Sequence, residues 1–196
     1  MPETRSAAVV LAAGASTRLG QAKQLVVVGG ESLLRRTVRL ALEADCAPVI
    51  AVLGHEAERM RGELTGLGAE AVMNPEWREG MGASVRCGVS ALQSGESGPG
   101  NILLLVCDQP RLTAEHLREL LARHGTGHLP ITASQYAGRL GVPAVFAEQL
   151  AAELLQCRGD QGAREVIRRD RARVQAVSWP EGGMDIDEPG DLADLT

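Results

Sequence analysis

Aromatic residues are scarce in this chain, and their scarcity excludes one class of function. Trp, Tyr and Phe together make up 2% of the 196 residues, too few to build a stacking platform for single-stranded nucleic acid. The net charge of −5 also argues against broad binding to nucleic acid or to anionic membranes. We therefore expect a core of Leu, Val, Ile and Ala, and no nucleic-acid or membrane partner.

Paired cysteines and long apolar runs are also missing. The cysteines are widely spaced and form no Cys-x-x-Cys pair, which argues against a zinc site or a redox motif; they are Cys46, Cys87, Cys107 and Cys157. The N-terminus has no apolar segment of the signal-peptide type, and no run of about 20 apolar residues predicts a membrane span. We expect a reduced, cytoplasmic protein.

Apolar runs alternate with helical patterns along the chain, which is long enough for one domain over residues 1–196. Strands are predicted at 6–12, 48–53, 70–73, 102–106, 130–135, 142–146 and 173–177. Helices are predicted at 31–44, 55–65, 83–93, 114–123, 147–156, 161–169 and from about 189. This alternation predicts an α/β three-layer sandwich, with a mostly parallel sheet covered by helices on both faces. Residues 24–28 are interpreted as a core or edge strand, and the four histidines as surface or helix residues.

The loop after the first strand carries the most chemical information. Residues 12–16 have almost no side chain, so a ligand can approach their backbone N–H groups. Arg18 and Lys23 place two cations beside those donors, which is the chemistry of a polyphosphate cradle. The segment is neither a P-loop nor a dinucleotide fingerprint. Taken alone, it fits a flexible connection with a surface Arg and Lys equally well.

Carboxylates follow the most apolar strand and recur near the C-terminus. Asp108 comes directly after residues 102–106, where it can hold Mg²⁺ or begin a turn. Asp185 and Asp187 face the same side if their segment is extended, and one of them can complete a Mg²⁺ site or cap a last helix. Ligands bind beyond the carboxyl ends of such strands. The first loop and residues 107–112 are therefore expected to share one crevice.

Two further segments contain residues suited to ligand binding. Residues 74–84 run into a helix, with Gly80 and Gly82 allowing unusual backbone angles and Ser84 able to donate a hydrogen bond. Residues 159–164 open another helix, whose N–H groups can bind an anion with help from Arg164. Each segment by itself also fits an ordinary turn or helix cap.

Six segments in order resemble the molybdenum cofactor cytidylyltransferase family, within the MobA-like nucleotidyltransferases. They are LAAGASTRLGQAK, NPEWREGMGASVRCG, CDQP, GRLGVPAVF, GDQGAR and DIDEPGDL, and the match as a whole runs from Val9 to Leu192. The resemblance implies a nucleotide-diphospho-sugar-transferase-like fold and transfer of CMP from CTP to the terminal phosphate of molybdopterin, with release of pyrophosphate. It also implies Mg²⁺ as cofactor, and transient contact with a molybdoenzyme or its maturation factor.

The same resemblance assigns roles to residues by position. The catalytic set is Arg18, Lys23 and Asp108. The nucleotide-binding set is Leu11, Ala12, Ala13, Gly14, Arg18, Lys23, Glu79, Gly82 and Ser84. Asp108 and Asp187 would hold the metal. Arg139, Asp160, Arg164 and Asp185 would lie on the acceptor side.

Three sequence details bear on the substrates. In the family, Leu-Ala-Ala-Gly accompanies cytidine and Leu-Ala-Gly-Gly accompanies guanine, and Ala13 matches the cytidine form. The stretch after Lys23 lacks the Pro that relatives often carry, and Val142 stands where relatives often have a polar residue. The identity of the acceptor therefore stays open. The alternative functions are a guanylyltransferase, a sugar- or polyol-phosphate nucleotidyltransferase, and a non-catalytic nucleotide-binding cofactor-delivery protein.

Overall fold

The computed structural model describes residues 6–16, 19–95 and 100–184. The strands are β1 (Ser6–Ala12), β2 (Val27–Val28), β3 (Glu31–Ser32), β4 (Val49–Leu53), β5 (Glu70–Met73), β6 (Asn101–Val106), β7 (Ile131–Tyr136), β8 (Arg139–Ala147) and β9 (Val174–Ser178). The α-helices are α1 (Leu33–Glu43), α2 (Ala57–Glu63), α3 (Met81–Gln93), α4 (Ala114–Thr126), α5 (Ala151–Leu154) and α6 (Ala163–Arg169). Every helix in these described ranges is too short or too polar to cross a lipid bilayer.

Seven strands form one sheet in the order β5-β4-β1-β6-β8-β7-β9. The central strand β1 is parallel to both β4 and β6, and β8 is antiparallel to β6 and β7. The remaining pairings, β4 with β5 and β7 with β9, are parallel. The prediction of a mostly parallel sheet is confirmed. Because β8 begins where β6 ends, the β7–β8 turn lies at the same edge of the sheet as Asp108.

Helices cover both faces of the sheet, as the alternation in the sequence predicts. Successive side chains of β1 point to opposite faces, so Ala8 and Val10 pack in the layer of α1, α2 and α4. Ala7 and Val9 pack in the layer of α3, α5 and α6. Helix α3 comes so close to the sheet that a Cβ on Gly88 would lie 2.3 Å from Val9 Cγ1. The result is a three-layer α/β sandwich.

Two sequence-based assignments need correction. Residues 24–28 do not form one strand, since Lys23–Leu25 is a 3₁₀ helix and only Val27–Val28 is extended, pairing with β3. The cause is the side chain of Gln24, which turns inward to bond backbone carbonyls of the preceding loop. The helix predicted at 147–156 is broken into a 3₁₀ turn and the short α5. The helix predicted from about 189 lies outside the described residues.

The histidines of α4 are buried and hydrogen-bonded rather than exposed. His116 Nε2 lies 2.8 Å from Ser134 Oγ, and this hydroxyl donates to the Pro143 carbonyl at 2.7 Å. Ser134 therefore accepts its second hydrogen bond from the His116 N–H. His124 Nδ1 lies 3.1 Å from Thr132 Oγ1. Burial lowers the pKa of both imidazoles, since the charged form loses its hydration.

We expect these histidines to make the protein less stable as the pH falls below 6.5. The unfolded chain takes up protons near that pH, whereas the folded imidazoles with lowered pKa resist protonation, so acid favours unfolding. The stabilising contribution is complete above pH 6.5 and declines toward pH 5. Urea unfolding at pH 7.5 and pH 5 measures it. The double variant His116→Gln/His124→Gln is expected to lose less stability over this interval than the parent.

The exposed His128 provides the control for this experiment. His128→Gln is expected to show the same pH dependence of the unfolding free energy as the parent. An equal pH dependence in parent, double variant and control would contradict the interpretation, because it would assign the acid sensitivity to other groups.

Candidate active site

A cleft of about 610 Å³ opens at the carboxyl ends of β1 and β6, within the size range of small-molecule sites. It brings together residues from four separate parts of the chain. Those singled out from the sequence are Leu11, Ala13, Gly14, Lys23, Ser84, Asp108 and Asp160. The expectation that the first loop and the segment after β6 share one crevice is confirmed.

The carbonyl groups of Ala12, Ala13 and Gly14 all accept hydrogen bonds within the protein. The amide nitrogen of Gln24 donates to Ala12 O at 3.2 Å and to Gly14 O at 2.8 Å, and Gln24 is 2% exposed. The backbone N–H of His55 donates to Ala13 O at 3.1 Å. Ser16 Oγ accepts from the N–H of Lys23 at 3.1 Å and closes the loop on itself. The backbone of residues 12–14 is thus held in place through its carbonyl groups.

The backbone N–H groups of the same loop, in contrast, are available to a ligand. Within residues 6–16, 19–95 and 100–184, the N–H groups of Gly14, Ala15 and Ser16 make no hydrogen bond. All three residues line the cleft. Consecutive N–H groups without protein acceptors form a concavity that attracts anions. The loop can therefore receive phosphate oxygens without breaking any bond of its own.

Lys23 and Asp108 form an ion pair at the surface of the cleft. Lys23 Nζ lies 2.6 Å from Asp108 Oδ2, although the two residues are 85 positions apart. Their side chains are 21% and 19% exposed, so both groups remain accessible to a ligand. Lys23 is also the only lysine of the chain, against 19 arginines. An ammonium is a compact charge with three rotatable donors, which suits a phosphate chain.

The opposite wall of the cleft comes from the segment before α3. Trp77 lines the cleft, with Arg78 Cζ 4.3 Å from the centre of its ring. Ser84 Oγ accepts a hydrogen bond from Asn74 Nδ2 at 3.1 Å, which leaves the Ser84 hydroxyl hydrogen for another acceptor. This wall presents an aromatic face and a hydroxyl, which are suited to a base and a ribose.

Two glycines allow this wall to pack closely against the loop before α6. A Cβ on Gly82 would lie 2.6 Å from the backbone nitrogen of Arg158, and one on Gly80 would lie 2.4 Å from Asp160 Oδ1. Gly80 also has a φ of +101°, which favours glycine. The Gly82 N–H donates to Gly159 O at 2.8 Å. These contacts bring Asp160 into the cleft, although the resemblance places it on the acceptor side.

Other residues from the sequence analysis lie away from the cleft surface. Ala12 and Gly82 are buried behind it, and the Glu79 carboxylate bonds Arg86 at 3.0 Å. Arg139 lines a second cavity, and Arg164 lies exposed on α6. Arg18, Asp185 and Asp187 are outside the described residues.

The sequence analysis does not identify two residues that line the cleft and bear on its function. Gln24 follows Lys23 directly, yet its role depends on a turn that places its amide under residues 12–14. Cys107 also lines the cleft, but burial raises the pKa of its thiol and keeps it neutral. The only local signal for Gln24 was its position directly before the apolar residues 25–28.

Asp108 fits the requirements of a divalent metal that arrives with a nucleotide. Mg²⁺ in such sites is held by one or two carboxylates together with substrate phosphates. The described part of the chain has no cluster of three or more His, Cys, Asp or Glu side chains suited to a metal. An accessible single carboxylate beside a loop whose N–H groups can receive phosphate oxygens is the donor set expected for a shared metal.

Comparisons with known proteins show the family of this chain. Residues 8–175 match the MobA-like NTP transferase domain. This chain belongs to that family. Rv0371c from Mycobacterium tuberculosis H37Rv superposes with a TM-score of 0.83, covering 100% of this chain and 98% of that one at 29% identity. Its manganese complex has a TM-score of 0.79, so a metal is bound in that relative.

Two curated relatives differ in how much of their length is shared. Nicotine blue oxidoreductase from Paenarthrobacter nicotinovorans is 30% identical over 188 residues, which cover 91% of this chain and 90% of that protein. The bifunctional protein GlmU of Corynebacterium diphtheriae is 35% identical over 126 residues, covering 61% of this chain. The chain spans about a quarter of the length of the GlmU relatives that it matches.

Proposed function

We propose that this member of the MobA-like family transfers CMP from CTP to the terminal phosphate of molybdopterin and releases pyrophosphate. The observation that supports it most directly is the cleft itself. There the N–H groups of residues 14–16, which make no hydrogen bond to any residue that the structure describes, lie in one hollow with Lys23 and Asp108. The choice of CTP and of molybdopterin rests on the family resemblance of the six motifs.

The reaction needs little acid–base chemistry from the protein. The nucleophile is an oxygen of a phosphate monoester, which is already anionic because its second pKa is about 6. That oxygen bonds to the α-phosphorus of CTP, and the bond from this phosphorus to the bridging oxygen breaks, leaving its electron pair on pyrophosphate. The protein therefore has to align the groups and neutralise charge. The loop N–H groups and Lys23 supply donors and positive charge for the phosphates.

Mg²⁺, held by Asp108 and, by resemblance, Asp187, would add positive charge at the phosphates. Lys23 stands 2.6 Å from Asp108 in this structure. Asp108 thus keeps the ammonium at the mouth of the phosphate-binding loop until a nucleotide provides a stronger anionic partner. Arg18 completes the catalytic set in this proposal.

Ala13 is the residue on which we base the preference for cytosine over guanine. Its carbonyl is held by His55, and a Cβ on Gly54 would lie 2.8 Å from Ala13 Cβ. The Ala13 methyl therefore packs closely beside Gly54, and the held carbonyl fixes its position. A fixed methyl narrows the space for the base, which favours a pyrimidine over the larger purine.

One assay tests the proposal and separates its alternatives. The protein is incubated with CTP, Mg²⁺ and molybdopterin, and the cytosine dinucleotide is sought by mass spectrometry while pyrophosphate is measured. GTP in place of CTP tests the guanylyltransferase alternative, and a panel of sugar and polyol phosphates tests other acceptors. Nucleotide binding with no pyrophosphate from any acceptor would contradict a transferase and favour the cofactor-delivery protein.

A second candidate function is an oxidoreductase. The observation in its favour is that nicotine blue oxidoreductase shares nine-tenths of its length with this chain. Incubation with nicotine blue and a reduced pyridine nucleotide, followed by absorbance, tests it. Loss of the dye colour with no pyrophosphate release in the first assay would favour this candidate.

The proposed function also implies a protein partner and a cellular compartment. A cytidylyltransferase of this kind hands its product to a molybdoenzyme or to that enzyme's maturation factor, so we propose transient contact with one of them. The four cysteines are unpaired thiols, in keeping with a reducing cytoplasm.

A further inference from the structure

A second cavity, of about 360 Å³, lies beside the β7–β8 turn. It shares no lining residue with the nucleotide cleft. Three arginines line it, namely Arg139, Arg168 and Arg171, and its apolar surface comes from Leu140 and Ile167. Three cationic side chains around one hollow are notable in a chain whose net charge is −5.

The arginines at the end of α6 fall into two groups. Arg169 and Arg173 pair with Glu153, at 3.7 Å and 2.8 Å. Arg168 and Arg171 line the cavity, and within the described ranges neither forms an ion pair. Glu153 thus neutralises the guanidinium groups of Arg169 and Arg173, whereas no described carboxylate neutralises those of Arg168 and Arg171. Unneutralised charges around a concave surface concentrate a positive potential there.

Arg139 brings the third charge from the other side of the cavity. Its Cζ lies 5.5 Å from the centre of the Tyr136 ring, a contact that orients the guanidinium. A planar guanidinium presents paired N–H donors that match the oxygens of a phosphate. The apolar residues beside the arginines add a surface for a ring or another carbon skeleton.

We propose that this cavity binds an organic phosphate monoester, with the phosphate on Arg168 and Arg171 and the carbon skeleton against Leu140 and Ile167. The ligand is a phosphorylated effector rather than the acceptor of the transfer reaction, because the acceptor's phosphate has to reach the nucleotide in the cleft, with which this cavity shares no lining residue. The binding site does not depend on the proposed function.

The fold connects this cavity to the catalytic edge of the sheet. Arg139 and Leu140 begin β8, and the Val142 carbonyl of the same strand accepts from Gln109 Nε2 at 3.1 Å and from Tyr136 OH at 2.9 Å. Gln109 directly follows Asp108. A ligand held at the start of β8 is therefore bound beside the segment that positions Asp108.

The binding test uses phenyl phosphate as the probe and isothermal titration calorimetry on the full chain. The variant Arg168→Gln/Arg171→Gln is expected to raise the Kd for phenyl phosphate at least tenfold. The matched control Arg169→Gln/Arg173→Gln removes the same charge from the same segment and should change it less than twofold. CTP affinity should be unchanged in both variants, which shows that the cleft remains folded. Equal phenyl phosphate binding in parent and cavity variant, or no binding to the parent at millimolar concentration, would overturn the proposal.

Steady-state kinetics then test the effector role. Phenyl phosphate is expected to change kcat without competing with the acceptor, and the cavity variant should abolish that response. Competition with the acceptor that is lost in the cavity variant would overturn the effector role. A protein that releases no pyrophosphate would refute the proposed function but leave the calorimetric result intact, so the two failures are distinguishable.

Discussion

Lys23→Ala is expected to lower kcat for pyrophosphate release by about 10²–10³-fold, the usual effect of removing one preorganised donor from a developing charge. The ammonium lies in the cleft beside the unbonded loop donors, and Asp108 holds it there at 2.6 Å. Its loss removes positive charge where the triphosphate must lie. The measurement is initial rate against CTP concentration, with circular dichroism to show that the fold is kept.

Arg59→Ala is the matched control for this variant. Arg59 pairs with Glu56 on the surface and its side chain is 69% exposed, so its removal changes the net charge equally but away from the cleft. The control should retain the parent kcat. A Lys23→Ala protein that is folded and turns over at the parent rate would remove Lys23 from the catalytic set.

The single lysine also allows a direct probe of the site. An amine-selective acylating reagent has only the Lys23 side chain and the N-terminal amine to modify. CTP with Mg²⁺ is expected to protect Lys23 and not the N-terminus, as read by peptide mass spectrometry. Unchanged labelling of Lys23 at saturating CTP would show that the nucleotide does not reach this cleft.

Gln24→Glu is expected to disrupt the loop while hardly changing side-chain shape. The amide nitrogen donates to the Ala12 and Gly14 carbonyls, whereas a carboxylate in its place would oppose two oxygens at a position 2% exposed. Unsatisfied buried groups of this kind cost about 1–3 kcal/mol. We also expect kcat/KM for CTP to fall by about tenfold or more, because the N–H groups of residues 14–16 lose their fixed direction. Urea unfolding and initial rates measure the two effects.

A pH profile distinguishes this positioning role from simple destabilisation. Burial would raise the pKa of a glutamic acid at position 24, and its protonated form can donate one hydrogen bond again. Stability and CTP affinity of the variant should therefore recover as the pH is lowered and decline as it is raised. Gln156→Glu, at an exposed position after α5, is the control and should show no such recovery. A pH-independent Gln24→Glu protein would contradict the role assigned to the amide.

Local signals predict most of the secondary structure. The prediction for β1 has the observed bounds, and the predicted strand at 70–73 coincides with β5. Thr113 begins α4 as a cap, accepting from the His116 N–H at 3.2 Å. These features depend on residues that are close together in sequence. Hydrophobic periodicity and helix capping are signals on that scale, so they predict such features.

Contacts between distant parts of the chain set the limits of sequence reasoning. That Lys23 and Asp108 meet follows from the rule that parallel strands present their carboxyl ends at one edge. The inward turn of Gln24 and the hydrogen bond of His116 to Ser134 follow from no such rule, because each depends on packing from another element. The arginine cavity likewise joins the β7–β8 turn to the end of α6, and neither segment alone indicates it.

The order of the strands has a consequence for synthesis of the protein on the ribosome. β1 is made first, but its partner β6 begins only at Asn101. Until that segment emerges, one side of the central strand has unpaired backbone groups, a template for association with other chains. Chains that terminate prematurely before residue 101 should therefore aggregate, and a separately supplied C-terminal fragment containing β6 should rescue them.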